Sequence, residues 1–138
     1  MLTEKDYCDY DTCVALKELG YDGYCAAYYH LFDDEDDARN SFEYAYGFDF
    51  QNSNNIYRVG APLLYQAQKW LREEKGIFVY IDVPWKTDGG LGWSYFCCNK
   101  PMTEEDKEVC FASGGFYDSY EEALSKGIKQ SVKILKEE

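Results

Sequence analysis

The amino-acid sequence predicts an α+β fold in which a helix, a three-stranded antiparallel meander and a second helix follow one another (α-β-β-β-α). Two observations support this order. Apolar residues recur at helical spacing in two stretches, Ala61–Gly76 and Ser119–Leu135. Between these stretches lie three short β-type segments separated by turns. Short connections favour antiparallel neighbours, and both helices are expected to cover one face of the sheet.

The chain has 138 residues, a length typical of one domain, and its charge is uneven. We expect residues 61–138 to form the core and residues 1–60 to form an acidic, aromatic-rich extension. The formal net charge is −12, of which residues 1–60 contribute −9. Nucleic acids and anionic membranes attract concentrated Lys and Arg. The sequence therefore predicts neither of these as a partner and favours a protein with a basic surface.

The extension contains one helix signal and two strand signals. Asp9 is suited to cap a helix, and Gly20 is suited to end it. The apolar run Tyr24–Phe32 is short and rich in tyrosine, which favours an extended conformation. In Ser41–Phe50 aromatic residues occupy every second position, a pattern that predicts a strand with an aromatic face. These segments are expected to add strands to an edge of the main sheet.

The core begins with the helix Ala61–Gly76, around which the prediction is organised. Pro62 is expected in its first turn and Gly76 at its end. A turn is expected at Lys86–Gly90, and a polar connector at Thr103–Asp106. The final helix opens with a capping box formed by Ser119 and Glu122. The predicted strands are Ile77–Val83, Leu91–Cys98 and Glu108–Ser113.

The N-terminus predicts a cytoplasmic location, and this location in turn predicts the state of the cysteines. Met1–Asp6 lacks the basic and apolar regions of a signal peptide, and no run reaches membrane-spanning length. Cysteines in a reducing compartment are expected to be free thiols. No C-x-x-C pair occurs, so we expect neither a metal site nor a cofactor. The six cysteines are Cys8, Cys13, Cys25, Cys97, Cys98 and Cys110.

The sequence offers no convincing catalytic set, so we expect a protein that is not an enzyme. His30 is the only histidine, and any Ser-His or Cys-His arrangement would depend on it. Adjacent carboxylates in Asp33–Asp37 are typical of a solvated surface, and their spacing does not match a calcium-binding loop. Gly89–Gly92 lacks the Lys and Ser/Thr of a phosphate-binding loop and favours a hairpin turn.

Two candidate sites remain, each with a simpler structural interpretation. Acidic residues could steer the chain to a basic protein while tyrosines anchor it, although a charge run is more often a solvated surface. The residues of this partner-binding site are Asp33, Asp34, Glu35, Asp36, Asp37, Tyr28, Tyr44 and Tyr46. The alternative is a small, nucleotide-like ligand beside an Asn-rich loop, which is more often only a turn. The residues of this ligand site are Asn52, Asn54, Asn55, Trp85 and Trp93, of which the two tryptophans more simply form a cross-strand pair.

Three segments together resemble a family of short uncharacterised proteins encoded by phages and prophages of gut bacteria. They are Leu16–Tyr21, Ala61–Pro62 with Gln66–Glu73, and Phe116–Leu124 with Gly127–Ile128. The resemblance implies a small accessory protein acting in a bacterial cytoplasm, but no residue role. Counter-defence and DNA mimicry are versions of the binding hypothesis. A free sheet edge or face would also allow a homodimer.

Overall fold

The computed structural model describes residues 2–53, 55–82, 84–88, 90–99, 111–112 and 115–137. The chain divides into two compact units, Met1–Ala67 and Gln68–Glu138. Helices are combined with small antiparallel sheets, which confirms the α+β class. The prediction of one domain with an N-terminal extension stays a prediction.

The first unit contains its own three-stranded sheet, in which the central strand Ala27–His30 (β1) pairs antiparallel with Glu43–Tyr44 (β2) on one side and with Arg58–Gly60 (β3) on the other. Among the residues described, these strands pair with one another and do not extend the other sheet, so that expectation is wrong. A 3₁₀ helix at Glu4–Asp6 precedes them. The remaining elements are α1 (Tyr10–Glu18), β1 (Ala27–His30), α2 (Glu35–Arg39), β2 (Glu43–Tyr44) and β3 (Arg58–Gly60), and α3 (Leu64–Lys75) begins in this unit.

Local capping signals set the ends of α1, as the sequence predicts. The Asp9 carboxylate accepts a hydrogen bond of 2.9 Å from the Thr12 N–H. At the other end Gly20 adopts a φ of 99°, and the Tyr21 N–H donates to the Leu16 carbonyl at 2.9 Å. This left-handed glycine with a hydrogen bond across the last turn satisfies carbonyls that the helix leaves unpaired.

The predicted strand Ser41–Phe50 is wrong over most of its length, since only β2 is a strand there. Its pairing with the preceding strand ends with the hydrogen bond from the Ala45 N–H to the Ala26 carbonyl. Gly47 then adopts a φ of 63°, which turns the chain, and Phe50 returns to form a bridge with Cys25. The alternating aromatic residues predict an extended backbone. They do not predict how many residues of a neighbouring strand are available to pair with it.

The organising helix begins three residues later than predicted, at Leu64. Ala61 instead continues the pairing of β3, since its N–H donates to the Ala27 carbonyl. Pro62 therefore precedes the helix and does not lie in its first turn. The end is as predicted, because Gly76 adopts a φ of 68° directly after Lys75.

The second unit contains a three-stranded sheet and a separate two-stranded hairpin. Its strands and last helix are β4 (Phe78–Ile81), β5 (Trp85–Thr87), β6 (Gly90–Gly92), β7 (Tyr95–Cys98), β8 (Phe111–Ala112) and α4 (Tyr120–Lys136). The order β4-β7-β8 is antiparallel throughout, and β5 pairs with β6. The predicted strand Leu91–Cys98 is thus divided between two sheets, and strand pairing reaches into the predicted turn Lys86–Gly90. Of the predicted strand Glu108–Ser113 only Phe111–Ala112 is described, and the connector Thr103–Asp106 lies outside the described residues.

Helix α4 packs on β4 and β7, and a glycine allows it to come close. A Cβ atom at Gly127 would lie 2.7 Å from Val79 Cγ1 and 3.2 Å from Tyr95 Cγ. The Ser119 hydroxyl accepts a hydrogen bond from the Glu122 N–H at 3.1 Å, which confirms the predicted N-cap. The buried face of α4 consists of Ala123, Leu124, Gly127, Ile128, Ser131 and Val132.

The expectation that all six cysteines are free thiols is wrong at Cys98, which is disulfide-bonded. That expectation rested on an assumed compartment and not on the positions of the sulfur atoms. Four other cysteines are free and buried: Cys8, Cys13, Cys25 and Cys97. Among the residues described, no helix has both the length and the apolar character needed to cross a bilayer.

Gly127→Ala is expected to destabilise the second unit. The added methyl group gains about 1 kcal/mol of helix propensity. It collides with Val79 and Tyr95, however, and overpacking costs about 1–3 kcal/mol. The melting temperature should therefore fall by a few degrees, whereas Lys126→Ala on the exposed side of the same helix should change it little. An unchanged melting temperature for Gly127→Ala would contradict this packing.

Candidate interaction surface

One face of the first sheet is buried in the core of its unit. The other face, which we call the outer face, carries polar and aromatic side chains. Along β1 the residues Ala27 and Tyr29 are buried, whereas Tyr28 and His30 are half-buried. Cross-strand pairing places Glu43 opposite Tyr28 and Arg58 opposite His30. Because directly paired residues project to the same side, these four residues share the outer face.

Four aromatic rings follow one another along this outer face, and we name them the ring ladder. The rings of Phe50 and Tyr28 have centroids 5.2 Å apart, and those of Tyr28 and His30 lie 5.5 Å apart. His30 and Phe32 are stacked with an interplanar angle of 9° and a centroid separation of 5.3 Å. Each spacing is typical of a favourable aromatic contact.

The Glu43 carboxylate contacts two rings of the ladder, those of Tyr28 and His30. The Tyr28 hydroxyl donates to Glu43 Oε2 at 2.9 Å, and His30 Nε2 lies 3.1 Å from Glu43 Oε1. The hydrogen bonds from Tyr28 and then His30 lower the pKa of Glu43, since they stabilise its ionised form. The Glu43 hydrogen bond in turn raises the pKa of Tyr28. The Arg58 guanidinium lies over the Tyr28 ring, with Cζ 4.7 Å from its centroid.

The acidic run Asp33–Asp37 is exposed, as the sequence predicts, and part of it is helical. The Asp34 carboxylate caps α2 by accepting from the N–H groups of Asp36 and Asp37, at 2.9 and 3.1 Å. Arg39 closes the helix and partly neutralises it. Its guanidinium lies 3.1–3.4 Å from three carboxylates, those of Asp11, Glu35 and Asp36.

The structure brings only some of the predicted partner-binding residues together. Tyr44 follows Glu43 and packs with its ring against Tyr7 and Phe42 while staying 58% exposed. Tyr46 is 94% exposed. Strand pairing places these two tyrosines towards the beginning of β1, whereas the acidic run follows the end of β1. The acidic run and Tyr46 therefore lie at opposite ends of the strand.

The Asn-rich loop is used inside the fold. Asn52 is buried, donates to the Tyr21 carbonyl at 2.9 Å and accepts from the Gly60 N–H at 2.8 Å. Asn55 accepts from the Arg58 N–H at 2.9 Å. These two side chains satisfy N–H groups on the outer edge of β3, where another strand would otherwise pair. A small ligand would have to displace these bonds, so ligand binding here stays a prediction. Asn54 lies outside the described residues.

The two tryptophans of the alternative ligand site do not face each other by strand register. Trp85 pairs with Gly92 in the hairpin, one position before Trp93. The Trp93 ring instead meets the Tyr120 ring of α4 edge to face, at 5.7 Å. Trp93 also forms a backbone bridge with Tyr117. The side chain of Trp85 lies outside the described part of the chain.

The aromatic rings and charged side chains of the outer face suit binding by stacking and charge, whereas the Ser41 hydroxyl beside His30 is occupied by backbone groups. This hydroxyl accepts from the His30 N–H at 2.8 Å and donates to the Ala38 carbonyl at 2.6 Å. These bonds fix it as part of the turn. Within the described ranges, no group of three or more His, Cys, Asp and Glu side chains could hold a metal ion.

Five residues of this face were not singled out from the sequence as site residues: His30, Phe32, Glu43, Phe50 and Arg58. A signal for two of them was present, because residues 28, 30 and 32 of an extended run share one face. Glu43 and Phe50 come beside that run only through pairing with β1 and through the return of the chain to Cys25.

Tyr28→Phe is expected to raise the pKa of Glu43, because it removes the hydrogen bond that lowers that pKa most. In the native protein, ionised Glu43 stabilises the folded state at pH values above the ordinary glutamate pKa of about 4.3. This stabilisation is lost as the pH falls through the lowered pKa of Glu43 in the folded state. An NMR titration of the Glu43 carboxyl checks the direction. Tyr44→Phe on the neighbouring residue is the control, and an equal rise in both variants would contradict the assignment.

Asn52→Leu is expected to lower the free energy of unfolding by at least about 2 kcal/mol, since it leaves the Gly60 N–H and the Tyr21 carbonyl without their partner. Urea denaturation measures the change. Asn40→Leu removes an exposed amide that donates one hydrogen bond to the Asp36 carbonyl, and it should lower the free energy of unfolding by less than about 0.5 kcal/mol. Equal losses in the two variants would show that the Asn52 bonds do not stabilise the unit.

Comparison with known proteins leaves the site to be interpreted from its own geometry. No protein-family model matches the chain, and neither the curated proteins nor the solved structures contain a significant match. The resemblance to short phage and prophage proteins stays a prediction.

Proposed function

We propose that this protein is a non-enzymatic, phage-related accessory protein that binds a basic surface of a host or phage protein. The observation that supports it best is the outer face of β2-β1-β3, where the half-buried rings of Tyr28 and His30 and the exposed ring of Phe32 lie within a unit of net charge −9. This face continues at the end of β1 into the exposed acidic run Asp33–Asp37. A surface with both features can attract a basic protein and then anchor it.

The charges supply attraction over a distance, and the rings supply contact area. Thirteen acidic and four basic residues precede residue 61, and Arg39 and Arg58 already have partners within the unit. Large aromatic side chains in this unit remain exposed: Tyr24, Phe32, Tyr44, Tyr46, Phe48, Tyr57 and Tyr65. Tyrosine suits a surface of this kind because its ring packs while its hydroxyl stays hydrated.

One version of this function is counter-defence by DNA mimicry, in which carboxylates replace phosphates in the basic groove of a nucleic-acid enzyme. The scaffold proposed for the second unit is the helix–meander–helix arrangement, supported by the antiparallel order β4-β7-β8 and by α4 packing on it. The proposed place of action is a bacterial cytoplasm. Homodimerisation through a free sheet edge remains compatible with this role.

Neutralising the acidic run is expected to abolish capture of the partner. A variant with Asp33, Asp34, Asp36 and Asp37 changed to Asn and Glu35 changed to Gln keeps the helix cap, because Asn caps as well as Asp. It is used with the native chain in affinity capture from nuclease-treated bacterial lysate. We expect the native chain to retain one basic protein, with steep loss at rising salt, and the variant to lose it.

The matched control removes the same number of charges elsewhere. Five exposed acids of the second unit are neutralised together: Glu73, Glu74, Asp88, Glu121 and Glu137. This variant has the same net charge as the first and should still capture the partner. If both variants lose the partner equally, the loss is due to overall charge and not to the acidic run. If the partner is still captured after the acidic run is neutralised, the proposed role of that run is contradicted.

A further inference from the structure

The ring ladder has a geometry that an extended chain can follow. Its rings Tyr28, His30 and Phe32 belong to one extended segment and lie 5.3–5.5 Å apart between centroids. In an extended peptide the side chains of one face are separated by two residues, or about 6.6 Å. The two spacings differ by about 1 Å per step, so over these three rings a peptide lying along β1 can place neighbouring side chains close to neighbouring rings.

Acidic residues flank this ladder at both ends and at its centre. Asp49 precedes the ring of Phe50 in the chain, and its charge is one of those that raise the pKa of Tyr28. Asp33 and Asp34 follow Phe32 directly at the other end. Glu43 lies at the centre, beside Tyr28 and His30. Carboxylates thus lie within hydrogen-bonding distance of Tyr28 and His30 and directly beside Phe50 and Phe32 in the chain.

The ladder already binds one guanidinium, which indicates the kind of cation that suits it. The Arg58 guanidinium lies over the Tyr28 ring at 4.7 Å. A planar guanidinium can stack on an aromatic face and still donate to carboxylates at its edge, whereas a lysine ammonium is a strongly hydrated point charge. Phe32 is 51% exposed, and among the described residues its ring stacks only on His30, so it offers a second face of this type.

We propose that the ring ladder is a docking site for an extended, arginine-bearing segment of a basic protein partner. Alternate arginine side chains of that segment stack on the rings of the His30–Phe32 end and pair with the flanking carboxylates. This inference rests on the proposed function and names the chemistry of the partner at the same surface. It adds a preference for arginine over lysine, which attraction to the acidic run alone would not produce.

Binding of two synthetic peptides to the full chain tests this preference. One is a peptide of about nine residues, alternating arginine and serine, and the other replaces each arginine by lysine. Fluorescence anisotropy measures both dissociation constants at low and at moderate salt. We expect tighter binding of the arginine peptide at both salt concentrations. Phe32→Ala should weaken it by about two- to fivefold, as for a cation–aromatic contact at an exposed site.

Phe116→Ala is the matched control, because Phe116 is a phenylalanine of similar exposure, 55%, that lies in the second unit and does not belong to the ladder. It should leave both dissociation constants unchanged. Equal binding of the two peptides, or equal weakening by the two alanine variants, would overturn the ladder site.

Failure of this inference can be told apart from failure of the proposed function. Capture from lysate that depends on the acidic run, without a preference for the arginine peptide, overturns only the ladder site. An arginine preference that Phe32→Ala removes, without any capture, supports the ladder site while contradicting the role of the acidic run.

Discussion

The buried Asn52 amide is the interaction on which the N-terminal unit depends most. With one donor and one acceptor it joins the loop that follows α1, at Tyr21, to the edge strand β3, at Gly60. Gly60 has no room for a side chain there, because a Cβ atom would lie 2.9 Å from Cys25 Sγ. The Gly60 backbone and the Asn52 amide are therefore held together in a buried position, where an unpaired polar group would lower the free energy of unfolding.

This constraint at the edge of β3, together with the burial of Ala27 and Tyr29 on the inner face, decides which part of the sheet is available for binding. With the edge of β3 occupied by the amides of Asn52 and Asn55, another strand cannot easily add to that edge. What remains accessible is the outer face, where Tyr28, His30 and Glu43 form one connected group. A partner is then recognised by side chains and charge, and the acidic character of the unit favours a basic one.

The same unit shows how far local sequence signals extend. Asp9 and Gly20 were predicted as the ends of a helix and are found there, because a cap depends only on the few residues beside it. Ala61 was predicted to be helical and instead continues a strand, because the carbonyl of Ala27 is within reach of its N–H. That contact joins residues 34 positions apart, which no local pattern reveals.

The sequence by itself determined the α+β class, both ends of α1, the N-terminal cap of α4, the exposure of the acidic run and the excess of negative charge. Each of these follows from nearby residues or from composition. Only the tertiary structure decided that Asn52 is a structural residue and that Glu43 and Phe50 join Tyr28, His30 and Phe32 on one face. Strand pairing and chain reversal bring these side chains together, and both depend on contacts between residues far apart in the chain.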